Sequence, residues 1–342
     1  DERLAIRPTS ETIMYDSYSK WIRSYRDLPL RINQWCNVVR WEFNHPVPFL
    51  RSREFLWQEG HTVHATKESA DKEVLQILDF YAELAEELLA IPVIKGKKSE
   101  GEKFAGALYT TSIETFLPNG KAIQVATSHC LGQNFAKAFG IEFLDEKNSK
   151  QFAWQNSWGI STRTIGILTM MHSDNKGFVM PPKIAHTQIV IVPILFEDSK
   201  ESVKKVAQKI KEELTNFAVE LDDREEYTAG WKFNNWELKG VPLRIELGPK
   251  DVQKDQVVLV RRDTGEKSFV KISEINKEAE KLLWEIQQNL FKKAKENMQK
   301  NTVECADFNS VLKALEQKKL VKMQWCEKEE CVTKLKEKSE GV

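Results

Sequence analysis

The stretch from Leu30 to Thr62 constrains the fold most, because apolar and polar side chains alternate there in short runs. The alternation predicts one strand over Leu30 to Trp35, a second over Val38 to Phe43 and a third from Phe55 to Thr62. Asn44 to Pro48 contains two prolines, so it predicts a loop. We therefore expect antiparallel strands that present arginines to one part of a ligand and an aromatic face to another part.

Arginines flank this loop. Arg40 precedes it, and Arg51 and Arg53 follow it beside Phe55. Guanidinium groups bind phosphate oxygens in a bidentate manner, and a phenyl ring can stack on a purine, so the group fits a nucleotide. A ladder of arginines and glutamates on an exposed strand face explains the same residues, and these residues alone leave both interpretations open.

Trp57 and Glu59 are two residues apart on the third predicted strand, so their side chains point to the same face. An indole wall with a carboxylate beside it fits a small, apolar ligand that carries an ammonium group. The alternative is a half-buried aromatic residue next to a surface acid, and the pair alone favours that alternative.

Small polar residues cluster from Gln124 to Gln133 at a predicted strand end, and they include His129 and Cys130. A nucleophile pair or a metal site is disfavoured because no second histidine or acid follows at ligand spacing, so we predict a pocket wall. Farther on, we expect a glycine turn and an apolar helix within Trp158 to Met171. The hydroxyls and Arg163 at the start of this helix suit an anion site or, equally well, structural capping.

Composition excludes several classes. Hydrophobic residues make up 41% of the 342 residues, so the chain can bury a core. A formal net charge of +0 excludes a globally basic nucleic-acid binder, although not a local basic surface. The longest apolar run, Ile189 to Phe196, is far shorter than the ~20 residues of a membrane span. Five scattered cysteines do not indicate a disulfide framework, so a reducing cytoplasm is the expected setting.

Helical periodicity predicts a long helix over Glu68 to Leu89. Beyond Pro181-Pro182, predicted strands alternate with predicted helices, which is typical of an α/β domain of ~100 residues. The strands are expected at Gln188 to Leu195, Val241 to Leu247 and Gln256 to Val260, and the helices at Lys200 to Phe217 and Ile272 to Met298.

In this order, the segments resemble the class II aminoacyl-tRNA synthetases. Arg40-Trp41-Glu42 with Phe55 resembles their motif 2, and Ser161 to Gly166 resembles their motif 3. Longer strings resemble the prolyl-tRNA synthetases of the eukaryotic and archaeal type over nearly the whole chain. These strings are Arg7 to Thr12, Asn33 to Trp35, Arg53 to His61, Gln155 to Gly159, Trp231 to Asn234 and Trp236 to Pro242.

The resemblance implies an α/β protein with an α+β catalytic core. A class II antiparallel sheet flanked by helices would occupy residues 1–185, an α/β anticodon-binding domain residues 186–300, and a partial zinc-type domain residues 301–342. It also implies a cytoplasmic homodimer without membrane association that uses ATP and Mg²⁺.

The implied activity is that of a ligase that converts L-proline and ATP to prolyl-adenylate and transfers the prolyl group to tRNA(Pro). The implied reaction needs positioning and charge neutralisation rather than a nucleophilic side chain. The implied catalytic residues are therefore Arg40 and Arg163. The implied proline-binding residues are Thr9, Glu11, Arg40, Trp57, Glu59, Phe104 and His129. The implied ATP-binding residues are Arg40, Glu42, Arg51, Ser52, Phe55, Gln124, Thr127, Ser161 and Arg163. The implied tRNA-binding residues, for which a salt-bridged helix end and strand is an equal alternative, are Trp236, Glu237, Lys239 and Arg244.

Some positions depart from the family pattern. Motif 1, expected before Arg7, is absent, which indicates a fragment of a longer chain. Val125-Ala126 stands where two glycines are expected and could narrow the pocket. Cys326 and Cys331 resemble half of a four-cysteine zinc site, and since two thiolates do not complete a tetrahedral site, we predict no bound zinc.

The ~100 residues between motifs 2 and 3 leave no room for an editing domain. Cysteine is close to proline in size, so some misactivation of cysteine or alanine is expected. Two other functions stay open: a non-catalytic synthetase paralogue that binds tRNA, and a class II enzyme specific for threonine or histidine. The retained arginines argue against the non-catalytic paralogue. The aromatic set around Glu59 argues against the second function, because it suits a compact apolar ring better than a threonine or histidine side chain.

Overall fold

A computed structural model describes residues 2, 3, 5–40 and 44–339. The chain divides into two compact units. The first comprises Asp1–Ala85, Pro92–Ile167 and Asn297–Val342, and the second comprises Glu86–Ile91 and Leu168–Glu296.

A six-stranded antiparallel sheet is the centre of the first unit. The elements up to the end of the sheet are α1 Glu11–Trp21, β1 Leu30–Val39, β2 Glu54–His64, α2 Lys67–Glu83, β3 Ile94–Lys97, β4 Tyr109–Phe116, β5 Ala122–Gly132, α3 Asn134–Phe139, β6 Glu142–Leu144, β7 Lys150–Phe152, β8 Trp154–Ser161 and α4 Arg163–His172. The strand order in the sheet is β1-β2-β8-β5-β4-β3. A π-helical turn at Leu84–Leu88 extends α2, and the two together account for the predicted long helix.

The two strands expected at Leu30 to Trp35 and Val38 to Phe43 are wrong as separate elements. Strand β1 runs without a break through Cys36 and Asn37 and pairs with β2 along its whole length. The two polar residues interrupt the apolar pattern but not the ladder, because the ladder is made by backbone N–H and C=O groups. Residues 41–43 of the second expected strand lie outside the described part of the chain.

Helix α1 holds one end of β2 in place. Tyr15 and Tyr18 are both fully buried against β2, and the Tyr18 hydroxyl donates to the backbone oxygen of His61 at 3.0 Å. The spacing of three residues puts both rings on one helix face. The N-terminal residues just before α1 therefore lie beside the face of the sheet that carries the candidate site.

The second unit contains the strand and helix alternation that the sequence predicts. The elements are β9 Ile189–Pro193, α5 Lys200–Glu213, β10 Val219–Leu221, α6 Ala229–Lys239, β11 Leu243–Leu247, α7 Pro249–Gln253, β12 Gln256–Arg261, β13 Lys267–Lys271 and α8 Ile275–Lys300. Strands β9, β10 and β11 are parallel, β12 and β13 are antiparallel, and the order is β10-β9-β11-β12-β13. Every residue of β9 and of β11 is buried, as expected for strands covered on both faces.

The C-terminal segment of the first unit is a small parallel strand pair with helices. Its elements are β14 Thr302–Cys305, α9 Phe308–Glu316, β15 Leu320–Met323 and α10 Glu329–Lys338. Among the residues that the structure describes, no helix has the length and apolar character needed to cross a membrane.

Candidate functional site

A cavity of about 280 Å³ opens on the six-stranded sheet of the first unit. Its walls bring together all the predicted proline- and ATP-binding residues that the structure describes. Glu42, the remaining predicted residue, lies outside the described residues. The predicted residues in the walls are Thr9, Glu11, Arg40, Arg51, Ser52, Phe55, Trp57, Glu59, Phe104, Gln124, Thr127, His129, Ser161 and Arg163.

Strand register explains why residues far apart in sequence meet here. Residues directly opposite each other on paired strands project to the same face of a sheet, and the same face returns every second residue. The strands β2, β8 and β5 therefore build three parallel rows on the cavity face. The rows are Trp57 with Ser161, Glu59 with Gly159 and Thr127, and His61 with Ser157 and His129.

Gly159 lies inside strand β8, so the glycine turn predicted at this point is wrong. A Cβ at Gly159 would lie 3.0 Å from the ring of Trp57, which shows how closely the indole crosses the neighbouring strand. The missing side chain therefore lets Trp57 lie flat enough to form a cavity wall. The predicted helix does follow, but it begins only at Arg163.

The buried carboxylate of Glu59 is the centre of a dense set of hydrogen bonds. Ser10 donates its hydroxyl to Oε1 at 2.5 Å and its backbone N–H to Oε2 at 3.2 Å. Gln34 Nε2 donates to Oε1 at 2.7 Å, and His61 Nε2 lies 3.1 Å from Oε2. Burial acts to raise the pKa of Glu59, but the hydrogen bonds from His61 and Ser10 outweigh it and lower this pKa to about 2. Glu59 is therefore negatively charged at neutral pH.

Glu11 adds a second buried carboxylate beside this one. Ligand atoms of Glu11, Glu59 and His61 all lie within 4.8 Å of one another. The Glu11 carboxylate makes no hydrogen bond to another described residue, whereas the carboxylate oxygens of Glu59 already accept several. The pair therefore suits a cation that bonds to Glu11 and is attracted by the charge of Glu59. An ammonium group fits this arrangement better than a metal ion, which would need open lone pairs on both residues.

Aromatic and imidazole rings close this acidic part of the cavity. The rings of Phe104 and His129 lie 4.9 Å apart between centroids. Thr110 Oγ1 accepts from the backbone N–H of Phe104 and lies 2.9 Å from His129 Nδ1. Burial, and to a lesser degree the charge of His61, lowers the pKa of His129 to about 4, so the ring is neutral at pH 7. His129 thus lies in the cavity wall, as the pocket-wall interpretation predicted.

Arginines make the part of the cavity near the start of β2 positively charged, in contrast to the acidic part around Glu59. Arg40 lies over the ring of Phe55, with 4.9 Å from its guanidinium carbon to the ring centroid. Arg163 donates through Nε to the backbone oxygen of Leu50 at 3.1 Å. Burial lowers the pKa of Arg163, and the charges of Arg40 and Arg51 lower it further. Three cations that disfavour one another in this way form a strong site for a polyanion.

The close approach of helix α4 to the loop before β2 places Arg163. A Cβ at Gly166 would lie 2.8 Å from the side chain of Leu50 and 3.0 Å from that of Phe49. Phe49 itself has a φ of 60°, in the left-handed region that an aromatic residue seldom adopts. The loop therefore holds an unfavourable backbone conformation where it contacts the start of α4.

Sequence reasoning missed several cavity residues. Ser157 and Trp158 were part of a noted motif, but no role was predicted for them. The Ser157 hydroxyl and the indole N–H groups of Trp57 and Trp158 are buried and have no hydrogen-bond partner among the described residues. His61 could have been found from the two-residue period that it shares with Trp57 and Glu59.

The predicted tRNA-binding residues lie in the second unit, on α6 and β11, where they contact one another and their neighbours. Arg244 is bound to Glu237 at 3.2 Å and to Glu246 at 2.9 Å. The Lys239 ammonium lies 4.4 Å from the ring centroid of Trp236. These contacts agree with the salt-bridged alternative, and an RNA contact through Arg244 would have to exchange them for phosphate or base contacts.

The two cysteines of the possible half zinc site lie near each other. Cys326 and Cys331 are exposed, with their sulfur atoms 3.1 Å apart. Among the described residues, no third histidine, cysteine or acid lies close enough to join them. Two sulfurs do not complete a tetrahedral zinc site, and the absence of bound zinc stays a prediction.

Two known domain families match the chain. Residues 1–172 match the class II tRNA synthetase core domain of the G, H, P, S and T types, and residues 188–282 match the anticodon-binding domain. The expected fold class, an antiparallel class II core followed by an α/β anticodon-binding domain, is thereby confirmed.

Curated relatives are similar over nearly the whole chain. The cytoplasmic proline–tRNA ligase of Arabidopsis thaliana is 52% identical over 99% of the chain, which spans 64% of that protein. The proline–tRNA ligase of Natranaerobius thermophilus is 52% identical over 100% of the chain, which spans 71% of that protein.

A solved structure shares the fold closely. The crystal structure of prolyl-tRNA synthetase from Cryptosporidium parvum, complexed with L-proline and AMP, has a TM-score of 0.95 and 51% sequence identity. The match covers 98% of this chain and 69% of that structure. The chain therefore belongs to the proline–tRNA ligase family of class II aminoacyl-tRNA synthetases.

Proposed function

We propose that this chain carries out the proline–tRNA ligase reaction, in which L-proline is activated with ATP and transferred to tRNA(Pro). The observation that supports it best is the composition of one cavity, which has two buried carboxylates in one part and three arginines in another. Along β2, Phe55 beside Arg40 is four residues from Glu59, which corresponds to about 13 Å at a rise of about 3.3 Å per residue. That distance suits an aminoacyl-adenylate, which is cationic at its amino acid and anionic at its phosphate.

The acidic part would bind the amino acid. The secondary ammonium of proline would donate to Glu11 and Thr9, with the charge of Glu59 nearby. Trp57, Phe104 and His129 would surround the pyrrolidine ring, and the rings leave little room for a branched polar side chain. This wall favours proline over threonine or histidine as the substrate.

The arginines would handle the phosphates. Arg40 would contact both the proline carboxylate and the α-phosphate, so that the two reactants are held in line. The carboxylate oxygen attacks the α-phosphorus, the bond to the β-phosphate breaks, and pyrophosphate leaves with its charge neutralised by Arg163. Phe55 would stack on the adenine, and the other nucleotide contacts would come from Glu42, Arg51, Ser52, Gln124, Thr127 and Ser161.

The first step needs positioning and charge neutralisation rather than a nucleophilic side chain. In the second step, the terminal ribose hydroxyl of the tRNA takes the prolyl group and AMP leaves. The anticodon-binding domain would hold the other end of the tRNA, with Trp236, Glu237, Lys239 and Arg244 as the candidate contacts.

Mg²⁺ would bind mainly to phosphate oxygens in this site. This arrangement leaves the described carboxylates of the cavity to other partners. Glu11 and Glu59 belong to the proposed ammonium site, and Glu102 is paired with Lys336 at 2.7 Å. When bound, the ion would offset phosphate charge and polarise the α-phosphate.

The remaining organisation is also proposed from the family. We propose a catalytic domain over residues 1–185, an anticodon-binding domain over residues 186–300 and a partial zinc-type domain over residues 301–342. A homodimer in the cytoplasm is the proposed assembly and setting, in line with the word cytoplasmic in the name of the Arabidopsis relative.

The test is amino-acid-dependent ATP–pyrophosphate exchange by the full-length protein, with proline, cysteine, alanine and threonine in parallel. The proposal expects the highest kcat/KM for proline and weak exchange with cysteine or alanine. A folded protein that binds tRNA but shows no exchange with any of the four would instead be a non-catalytic paralogue.

A further inference from the structure

A buried chain of two side chains lies behind Glu59, and the proposed chemistry does not use it. The hydroxyl of Tyr15 on α1 lies 3.2 Å from His61 Nδ1, and His61 Nε2 lies 3.1 Å from Glu59 Oε2. Tyr15 is 0% exposed and His61 is 1% exposed. Tyr18 holds the backbone oxygen of His61, so the imidazole is fixed at both its backbone and its ring.

The direction of each hydrogen bond follows from the charge of Glu59. An ionised carboxylate can only accept, so His61 Nε2 must carry a proton and donate it to Oε2. Burial raises the pKa of the Tyr15 hydroxyl well above its usual value, and nearby Glu11 raises it further, so the phenol keeps its proton. A neutral imidazole accepts at Nδ1 from the Tyr15 hydroxyl, and a charged imidazole donates from Nδ1 to the Tyr15 oxygen; in both forms Nε2 donates to Glu59.

The two oxygens of Glu59 depend on His61 to different degrees. Oε1 accepts from the Ser10 hydroxyl, Gln34 Nε2 and Cys36 Sγ. Oε2 accepts from the backbone N–H of Ser10 and from His61, which is its one side-chain donor among the described residues. Loss of His61 would therefore leave one oxygen of a buried carboxylate with a single donor.

We propose that His61 is a positioning residue for substrate recognition, which fixes the orientation of Glu59 and keeps it ionised so that its charge attracts the secondary ammonium of the substrate. The inference rests on the proposed function and deepens it. Tyr15 acts one step farther away, because it fixes the imidazole that donates to Glu59.

Charged and titratable groups reach Glu59 from several elements, and they set the sign of a pH effect. Arg7 Nη1 lies 3.9 Å from Glu59 Oε1 and favours the ionised form of this carboxylate. Burial and the nearby carboxylate of Glu11 act against ionisation of Glu59. Without the His61 donor, the pKa of Glu59 must rise, so the variant should lose ammonium affinity as the pH falls. The groups facing Glu59 and His61 are Arg7 before α1, Glu11 and Tyr15 on α1, Cys36 on β1, and His129 on β5.

Two substitutions at this position separate the two hydrogen bonds of the imidazole. In His61→Gln the side-chain amide nitrogen can take the place of Nε2, which keeps the donor to Glu59. In His61→Asn the shorter amide can take only the place of Nδ1, which keeps a partner for Tyr15 but removes the donor to Glu59. The two variants are thus matched controls for each other.

The kinetic test is pyrophosphate exchange by the full-length protein between pH 6 and 8, with KM measured for proline and for ATP. His61→Asn should raise the proline KM roughly 10–100-fold, the usual range for one hydrogen bond to a charged group, and the rise should be larger at pH 6 than at pH 8. The ATP KM and kcat should change by less than about threefold, and His61→Gln should remain within about threefold of the unsubstituted protein. Equal effects of the two substitutions, or an ATP KM that rises as much as the proline KM, would overturn the inference.

A second measurement needs no variant, so it still decides if the substitutions prevent folding. Nitrogen NMR of protein labelled in its six histidines reports which ring nitrogen of each carries the proton. The inference requires a protonated Nε2 in His61 from pH 6 to 8, and a bare Nε2 would contradict it. Failure of the proposed function would look different, since the unsubstituted protein would then show no proline-dependent exchange.

Discussion

The clearest energetic prediction concerns Arg163, because its surroundings show which of its donors are available to a ligand. Nε donates to the backbone oxygen of Leu50 at 3.1 Å, and neither terminal nitrogen has a hydrogen-bond partner among the described residues, so both remain for a phosphate group. Two hydrogen bonds between charged groups contribute about 1.5–3 kcal/mol each, or about 3–6 kcal/mol together. At 1.36 kcal/mol per factor of ten, Arg163→Ala should lower kcat/KM for ATP by roughly 10²–10⁴-fold.

Arg163→Lys is the matched control. It keeps the positive charge but cannot bond bidentately, so it should recover part of the loss and remain roughly 10–100-fold below the unsubstituted protein. Pyrophosphate exchange with ATP varied measures kcat/KM for ATP. With proline varied instead, both variants should show a nearly unchanged proline KM.

Stability separates this loss of binding from a loss of folding. Burial and then the charges of Arg40 and Arg51 lower the pKa of Arg163, so removing its charge relieves a desolvation cost and repulsion in the free protein, and this offsets the lost bond to Leu50. We expect the free energy of unfolding of Arg163→Ala to remain within about 1 kcal/mol of the unsubstituted value. The reasoning is refuted if Arg163→Lys retains full kcat/KM, or if Arg163→Ala loses activity only in proportion to a lower folded fraction.

Three further predictions test other parts of the account. Arg40→Ala should abolish proline-dependent pyrophosphate exchange while circular dichroism stays unchanged, because the residue is proposed to contact both reactants; normal exchange would contradict this role. Gly60→Ala should cost about 1–3 kcal/mol in urea unfolding, because its Cβ would lie 2.2 Å from the ring of Trp158, whereas Gly96→Ala, with nothing within 4 Å, should cost little; equal midpoints would be evidence against the packing. The pKa of His129 is lowered to about 4 in the folded protein, so the unfolded chain binds more protons between pH 6.5 and 4 and stability should fall over that range. His129→Gln should show a shallower fall in its unfolding midpoint, and an unchanged slope would refute this assignment.

The sequence predicts which residues share the cavity face, because strand alternation is a local rule. Trp57 and Glu59 share a face on any strand, and the pairing of β8 with β2 on one side and β5 on the other then adds Ser161, Thr127 and His129 to that face. The pattern could not predict that β1 continues through polar residues, because its ladder depends on backbone pairing and not on side-chain polarity.

Tertiary contacts explain what the sequence could not predict. Gly159 has the appearance of a turn residue, but its role is to give space to Trp57 on the neighbouring strand. The partners of Glu59 come from Ser10 just before α1, from β1 and from β2, and such a set becomes visible only when the elements are packed together. Val125 and Ala126 do line the cavity, and their effect on its ligands stays a prediction.

The most direct test of the account is competition between proline and its oxygen analogue, tetrahydrofuran-2-carboxylate, in pyrophosphate exchange. The analogue keeps the ring and the carboxylate but has no ammonium to bond to Glu11 or to be attracted by Glu59. We expect its inhibition constant to exceed the proline KM by about 100-fold or more, and Glu11→Gln to reduce this difference. An inhibition constant of the analogue equal to the proline KM would contradict the claim that the buried carboxylates recognise the ammonium group.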